Sequence, residues 1–157
     1  TGVEQLQDQD GVDVCIVLSL AWAARNEYQL TAADIYQLLA DTRHWRNAVI
    51  APLRSARRAI KHSNSVKTSS QTEQSTLYES AKALELESER SMLNGIAIQL
   101  TNRHAAMVEQ TEQDSATCID RRHQRLASYL SLYLTDIMGV EEASFQRALE
   151  VFKPAMS

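Results

Sequence analysis

Residues 45–61 read Trp45-Arg46-Asn47-Ala48-Val49-Ile50-Ala51-Pro52-Leu53-Arg54-Ser55-Ala56-Arg57-Arg58-Ala59-Ile60-Lys61, and the reading of this stretch decides the fold. Val49, Leu53, Ala56 and Ile60 recur at intervals of four, three and four, the spacing of one face of an α-helix. Arg54, Arg57, Arg58 and Lys61 form a second stripe. Pro52 has no N–H and its ring crowds the preceding turn, so the element either kinks there or divides into two helices, the second carrying Pro52 in its first turn. The stretch therefore predicts a helix with one apolar and one basic face.

Before this stretch, the run from Val12 to Ala24 is apolar nearly all round, which predicts a central buried helix, with Asp10 or Asp13 as its cap. A cluster of Asp8, Asp10, Gly11 and Asp13 lacks the spacing and terminal glutamate of a calcium loop, and capping explains it better. Thr31, followed by Asp34 three residues on, predicts a capping box opening a helix over 32–41 whose Ile35, Leu38 and Leu39 face inward.

After it, residues 63–72 are rich in Ser and Thr and predict a mobile loop. One long helix is then expected over 73–110, with Leu86, Leu93, Leu100 and Met107 in one seven-residue row and Leu77, Leu84, Ser91 and Ile98 in another. Gly95 marks either a close helix crossing or a bend. A helix from Ser115 to Met138, capped by Asp114 or Ser115, shows the stripe Ile119, His123, Leu126, Leu130, Tyr133 and Ile137 and is expected to pair antiparallel with the long helix. Gly139 ends it, and a last helix buries Phe145, Leu149 and Phe152 before Pro154. The expected fold is an all-α, single-domain bundle of about six helices over residues 1–157, with a long antiparallel helical hairpin.

Composition agrees with this. The 157 residues are 44% hydrophobic and 23% charged, and 4 Gly and 2 Pro leave little turn chemistry for a many-stranded fold. A net charge of −4, from 16 basic and 20 acidic residues, argues against a protein-wide nucleic-acid footprint. Cys15 and Cys118 show no metal or redox spacing and read as reduced core residues. With no export signal and no membrane-length apolar run, the expected location is cytoplasmic. A start at Thr1 in place of Met suggests that residues precede it.

Several segments read together: Leu6-Gln7-Asp8 with Gly11, Asp13-Val14 and Trp22; Trp45-Arg46 with Val49, Pro52-Leu53-Arg54 and Arg57-Arg58; and Lys82, Glu85-Leu86 and Glu89-Arg90. Over about its first 95 residues the chain resembles a family of roughly 160-residue proteobacterial proteins, found in Pseudomonas, Vibrio and relatives and catalogued as a domain of unknown function. The resemblance implies a bacterial cytoplasmic setting and brings no activity or cofactor with it.

The candidate site is the basic face Arg46, Arg54, Arg57, Arg58 and Lys61, flanked by Arg43, His44 and His62. Guanidinium forks hold carboxylates and phosphates bidentately, so the face suits an acidic protein partner, with nucleic acid as the alternative. Against this stand Glu79, Glu85, Glu87 and Glu89 on the following helix, which could occupy the arginines internally. Trp22 and Trp45 are expected as core anchors. Glu85 and Glu89 are one helical turn apart, but no histidine follows at a di-metal offset; His44, His62, His104 and His123 form no ligand motif. Neither a nucleophile elbow nor a phosphate loop is present. The expected protein is a non-enzymatic interaction or regulatory module without catalytic residues, metal or cofactor, with homodimerisation through the long helix as a further reading.

Overall fold

The computed structural model describes residues 12–62, 71–105 and 115–157. The aspartate cluster before residue 12, most of the Ser/Thr-rich loop, Met107 and the Asp114 cap lie outside the described residues. Among those described, every regular element is helical. Six α-helices follow in order: α1 (Val14–Arg25), α2 (Ala32–Trp45), α3 (Ala51–His62), α4 (Gln71–Ala105), α5 (Ser115–Leu130) and α6 (Glu142–Phe152). A π-helical turn, Arg46–Ile50, joins α2 to α3, a second, Ser131–Ile137, extends α5, and a 3₁₀ turn, Lys153–Met156, follows α6.

The chain divides into two compact units, residues 1–38 with 96–157 and residues 39–95. In the first, α1 is the central helix the sequence predicts: Ile16, Val17, Leu20, Ala23 and Ala24 are all but fully buried. Asp13 caps it, its Oδ1 accepting from the Cys15 N–H at 3.0 Å. Helix α1 packs chiefly against α5, so α5 gives its main contact to the central helix α1. The π turn after α5 adds a residue to one turn, and Tyr133 and Leu134 are both buried there while Ile137 is only half-buried. Gly139 has φ +66°, the left-handed C′ conformation, and the Val140 N–H closes the end on Leu134 O at 2.8 Å. In α6, Phe152 is buried, whereas Phe145 and Leu149 are half-buried and Ser144 and Ala148 take the deepest positions. The capping box forms as expected, Thr31 N–H to Asp34 Oδ2 at 2.8 Å and Asp34 N–H to Thr31 Oγ1 at 3.2 Å.

The unit of residues 39–95 departs further from expectation. Pro52 stands in the first turn of α3, the second of the two expected arrangements, and α3 follows α2 through the π turn without an intervening loop. The Ala51 N–H reaches back five residues to Arg46 O, and this wider π turn makes room for the proline ring one residue later. Helix α4 begins at Gln71, two residues inside the expected loop. Its buried positions in this unit are Glu85, Ser88 and Met92, while Leu77, Leu84 and Leu86 are more than half exposed. At Leu77, Leu84 and Leu86 the leucine rows are thus not the buried seam, because the neighbouring helix presents arginines there, whereas Leu93 is half-buried and Leu100, further along, is buried. Among the described residues a Cβ on Gly95 would meet nothing within 4 Å, so no close helix crossing among them depends on that glycine.

Candidate functional site

Helices α3 and α4 form a hairpin joined by long polar side chains. Arg54 donates through Nη2 to Glu89 Oε1 at 2.7 Å and through Nε to Glu85 Oε1 at 3.2 Å. Arg57 donates through Nε to Glu85 Oε2 and through Nη2 to Glu85 Oε1. The spacing explains the match: Arg54 and Arg57 are three residues apart on α3, Glu85 and Glu89 four apart on α4, so each pair lies on one stripe. Ser88, on the same side of α4, donates its hydroxyl to Glu85 O at 2.7 Å, and its own carbonyl accepts the Trp45 indole N–H at 3.0 Å. Gln74 closes the far end on Ile60 O at 2.9 Å.

The electrostatics follow from this enclosure. Burial would raise the Glu85 carboxyl, but hydrogen bonds from Arg57 and then Arg54 outweigh it and hold the group below the ordinary carboxylate range. Burial would lower Arg54, and its bonds to Glu89 and Glu85 more than reverse that; Arg57 is raised first by its bond to Glu85. All three groups are held charged.

The five predicted site residues therefore separate. Arg54 and Arg57 belong to the frame of the hairpin. Arg46 turns back on its own helix, donating to Leu39 O at 2.9 Å and Thr42 Oγ1 at 3.1 Å. Arg58 and Lys61 are exposed, as are Arg43 and Lys82. Arg54, Arg58 and Lys61 follow one another at four- and three-residue intervals, so the outer positions continue the row that begins in the ion pairs.

Both tryptophans stand nearer the surface than expected, 36% exposed for Trp22 and 38% for Trp45. Trp22 packs against Tyr28 with ring centroids 5.1 Å apart. Trp45, with Ala48, Val49, Pro52 and Leu53, forms one wall of an open groove of about 540 Å³. Leu84, Glu87, Ser88 and Ser91 of α4 form the other. Of these residues the sequence pattern marked Val49 and Leu53 as part of an apolar stripe, with no sign that a groove stays open beside them.

In the other unit a second polar cluster surrounds Glu27, whose φ of +59° is left-handed. It accepts from Cys118 Sγ at 3.1 Å and from Arg121 Nε at 3.4 Å, with Arg125 at 3.6 Å. The thiol hydrogen bond is the largest of the influences that lower its pKa. This cluster was not foreseen, since it joins residues about 90 positions apart with no motif. Among the described histidine side chains, His44 and His62 are exposed and His123 contacts Lys153 O at 3.2 Å, so these three do not converge. Among the described residues no group of three or more His, Cys, Asp or Glu could hold a metal ion, and no helix is long and apolar enough to cross a membrane.

The profile of a family described as "Protein of unknown function (DUF2390)" matches residues 3–96, more than half of the chain and all of the hairpin unit. No curated protein and no solved structure matches the chain.

Proposed function

We propose, from the premise that the chain belongs to the DUF2390 family of proteins of unknown function, that it is a non-enzymatic protein-interaction module whose hairpin unit receives an acidic segment of another protein. The observation that carries this is a charge asymmetry. Residues 39–95 hold nine basic and six acidic residues, a net +3, while the rest of the chain holds seven basic and fourteen acidic, a net −7. Within the hairpin, Arg54 and Arg57 act as scaffold, and the exposed Lys61 and Lys82 supply the basic contacts. Exposed pairs of this kind contribute little affinity singly and act chiefly on recognition and association rate. Cytoplasmic residence in a bacterium is part of the same reading, supported by two buried cysteines that form no disulfide.

The test is titration of a labelled polyglutamate peptide against the wild-type chain and the Lys61→Glu/Lys82→Glu variant, with circular dichroism to check the fold. The variant is expected to bind at least 10-fold more weakly. Equal binding would remove the proposal. A duplex DNA probe that binds more tightly than polyglutamate, with affinity falling steeply between 50 and 200 mM salt, would replace it with nucleic-acid recognition.

A further inference from the structure

The hairpin unit is built with charge inside and apolar surface outside. Among its described residues, Ile50 and Met92 are the buried apolar side chains, and α3 has no buried residue at all. Among the described residues the apolar stripe is only partly covered, with Leu53 and Ile60 half-buried and Ala56 exposed, so it offers a face that a partner can complete.

We infer that this face is the contact between two copies of the chain, each copy's α4 packing antiparallel along the other's α3–α4 groove. The inference is separate from the acidic-partner reading, since it uses the groove rather than the basic row. Charge identifies the occupant. In a unit of net +3, the groove lining carries one charged side chain, Glu87, and that is paired at 3.1 Å with Arg90, both 69% exposed. The strip is thus electrically neutral and can meet its own copy without repulsion, whereas the basic row cannot. An antiparallel crossing centred near residues 87 and 88 brings Glu87 of one copy within one helical turn of the second copy's Arg90, and the reverse, so the ion pair can be exchanged across the two-fold axis.

The same crossing sets Leu84, 56% exposed, at the mouth of the second copy's groove, whose walls include Trp45, Pro52 and Leu53. Leu77 lies one heptad earlier on the same row and is 57% exposed. Size agrees. Trp45 to His62 spans about 27 Å of helix, and two helix widths are about 20 Å, so each copy offers on the order of 500–600 Å². That is the low end of what a specific pair buries, roughly 600 Å² or more per partner, and predicts a reversible dimer rather than an obligate one.

The experiment is sedimentation of the full chain over roughly 1–200 µM, with four proteins. Wild type is expected to pass from monomer to dimer, and Leu84→Glu to stay monomeric with an unchanged circular dichroism spectrum. Glu87→Arg and Arg90→Glu put like charges across the axis and are each expected to weaken the dimer at least 10-fold. Mixed in equal amounts they are expected to form a heterodimer, because one copy then carries two arginines and the other two glutamates at the contact. A wild-type chain that remains monomeric throughout, a Leu84→Glu dimer, or singles that fail to recombine would each overturn the inference.

Discussion

Glu85 holds Arg57 through both of its carboxylate oxygens while only 6% exposed itself. Arg54 shares one of those oxygens and spans to Glu89, so a single carboxylate bridges two guanidinium groups across the hairpin, with Glu89 supplying the second negative charge. Replacing Glu85 by Gln keeps the volume and removes the charge, leaving Arg57 without its carboxylate and Arg54 with Glu89 alone. The expected cost is about 2–3 kcal/mol in urea denaturation. Glu87→Gln, at an exposed pair, should cost under about 0.5 kcal/mol, and equal effects at the two sites would show that the buried cluster has no special weight.

The same cluster sets an acid limit. Glu85 titrates near 4.5 when unfolded and lower when folded, so its stabilisation is complete above about pH 4.5 and is lost as pH falls through the folded value. Stability measured from pH 7 to pH 3 should therefore fall below about pH 4.5, and the Glu85→Gln variant should show a shallower fall over that interval. Parallel curves for the two proteins would contradict the assignment.

Trp45 combines a ring open to the groove with an N–H spent on Ser88 O. Trp45→Phe keeps most of the ring and leaves that acceptor without its donor, for an expected loss of about 1 kcal/mol. With Trp22 as the remaining tryptophan, comparison of emission spectra also isolates the Trp45 signal, which should shift to shorter wavelength when the groove is covered.

Two glycines should respond with opposite sign. Gly139 sits at φ +66°, where a side chain strains the backbone, so Gly139→Ala should destabilise by about 1–2 kcal/mol. Gly95 lies within α4 and an added Cβ would meet nothing, so Gly95→Ala should stabilise by up to about 1 kcal/mol. Thermal melting of both variants decides it; a destabilised Gly95→Ala would show that the position needs its freedom.

How far the sequence could be read depends on which physical signal each element carries. The apolar run of α1, the Thr31 to Asp34 box and the Gly139 terminus depend on local chemistry, and each stands where that chemistry puts it. The competition between Arg54 to Lys61 and the glutamates of α4 was visible as spacing, and Glu85 and Glu89 do take Arg54 and Arg57. Leucine rows misled, because a heptad repeat records what a helix could bury and not what its neighbour offers: Leu77, Leu84 and Leu86 face outward beside a seam of charge. Glu27 was illegible, since nothing local predicts that Cys118, Arg121 and Arg125 return to it.

The π turn at Arg46–Ile50 gives the helical rod an extra residue without ending it. Its consequence is one of phase. Every side chain from Ala51 to His62 is turned by about 100° from where an uninterrupted α-helix through Trp45 would aim it. A single-residue deletion within 46–50 would restore the ordinary pitch and rotate Arg54 and Arg57 away from Glu85, while leaving composition, charge and helix content almost unchanged. The proline and the turn before it thus work as an angular setting, fixing which stripe of α3 locks the hairpin and which is left for solvent.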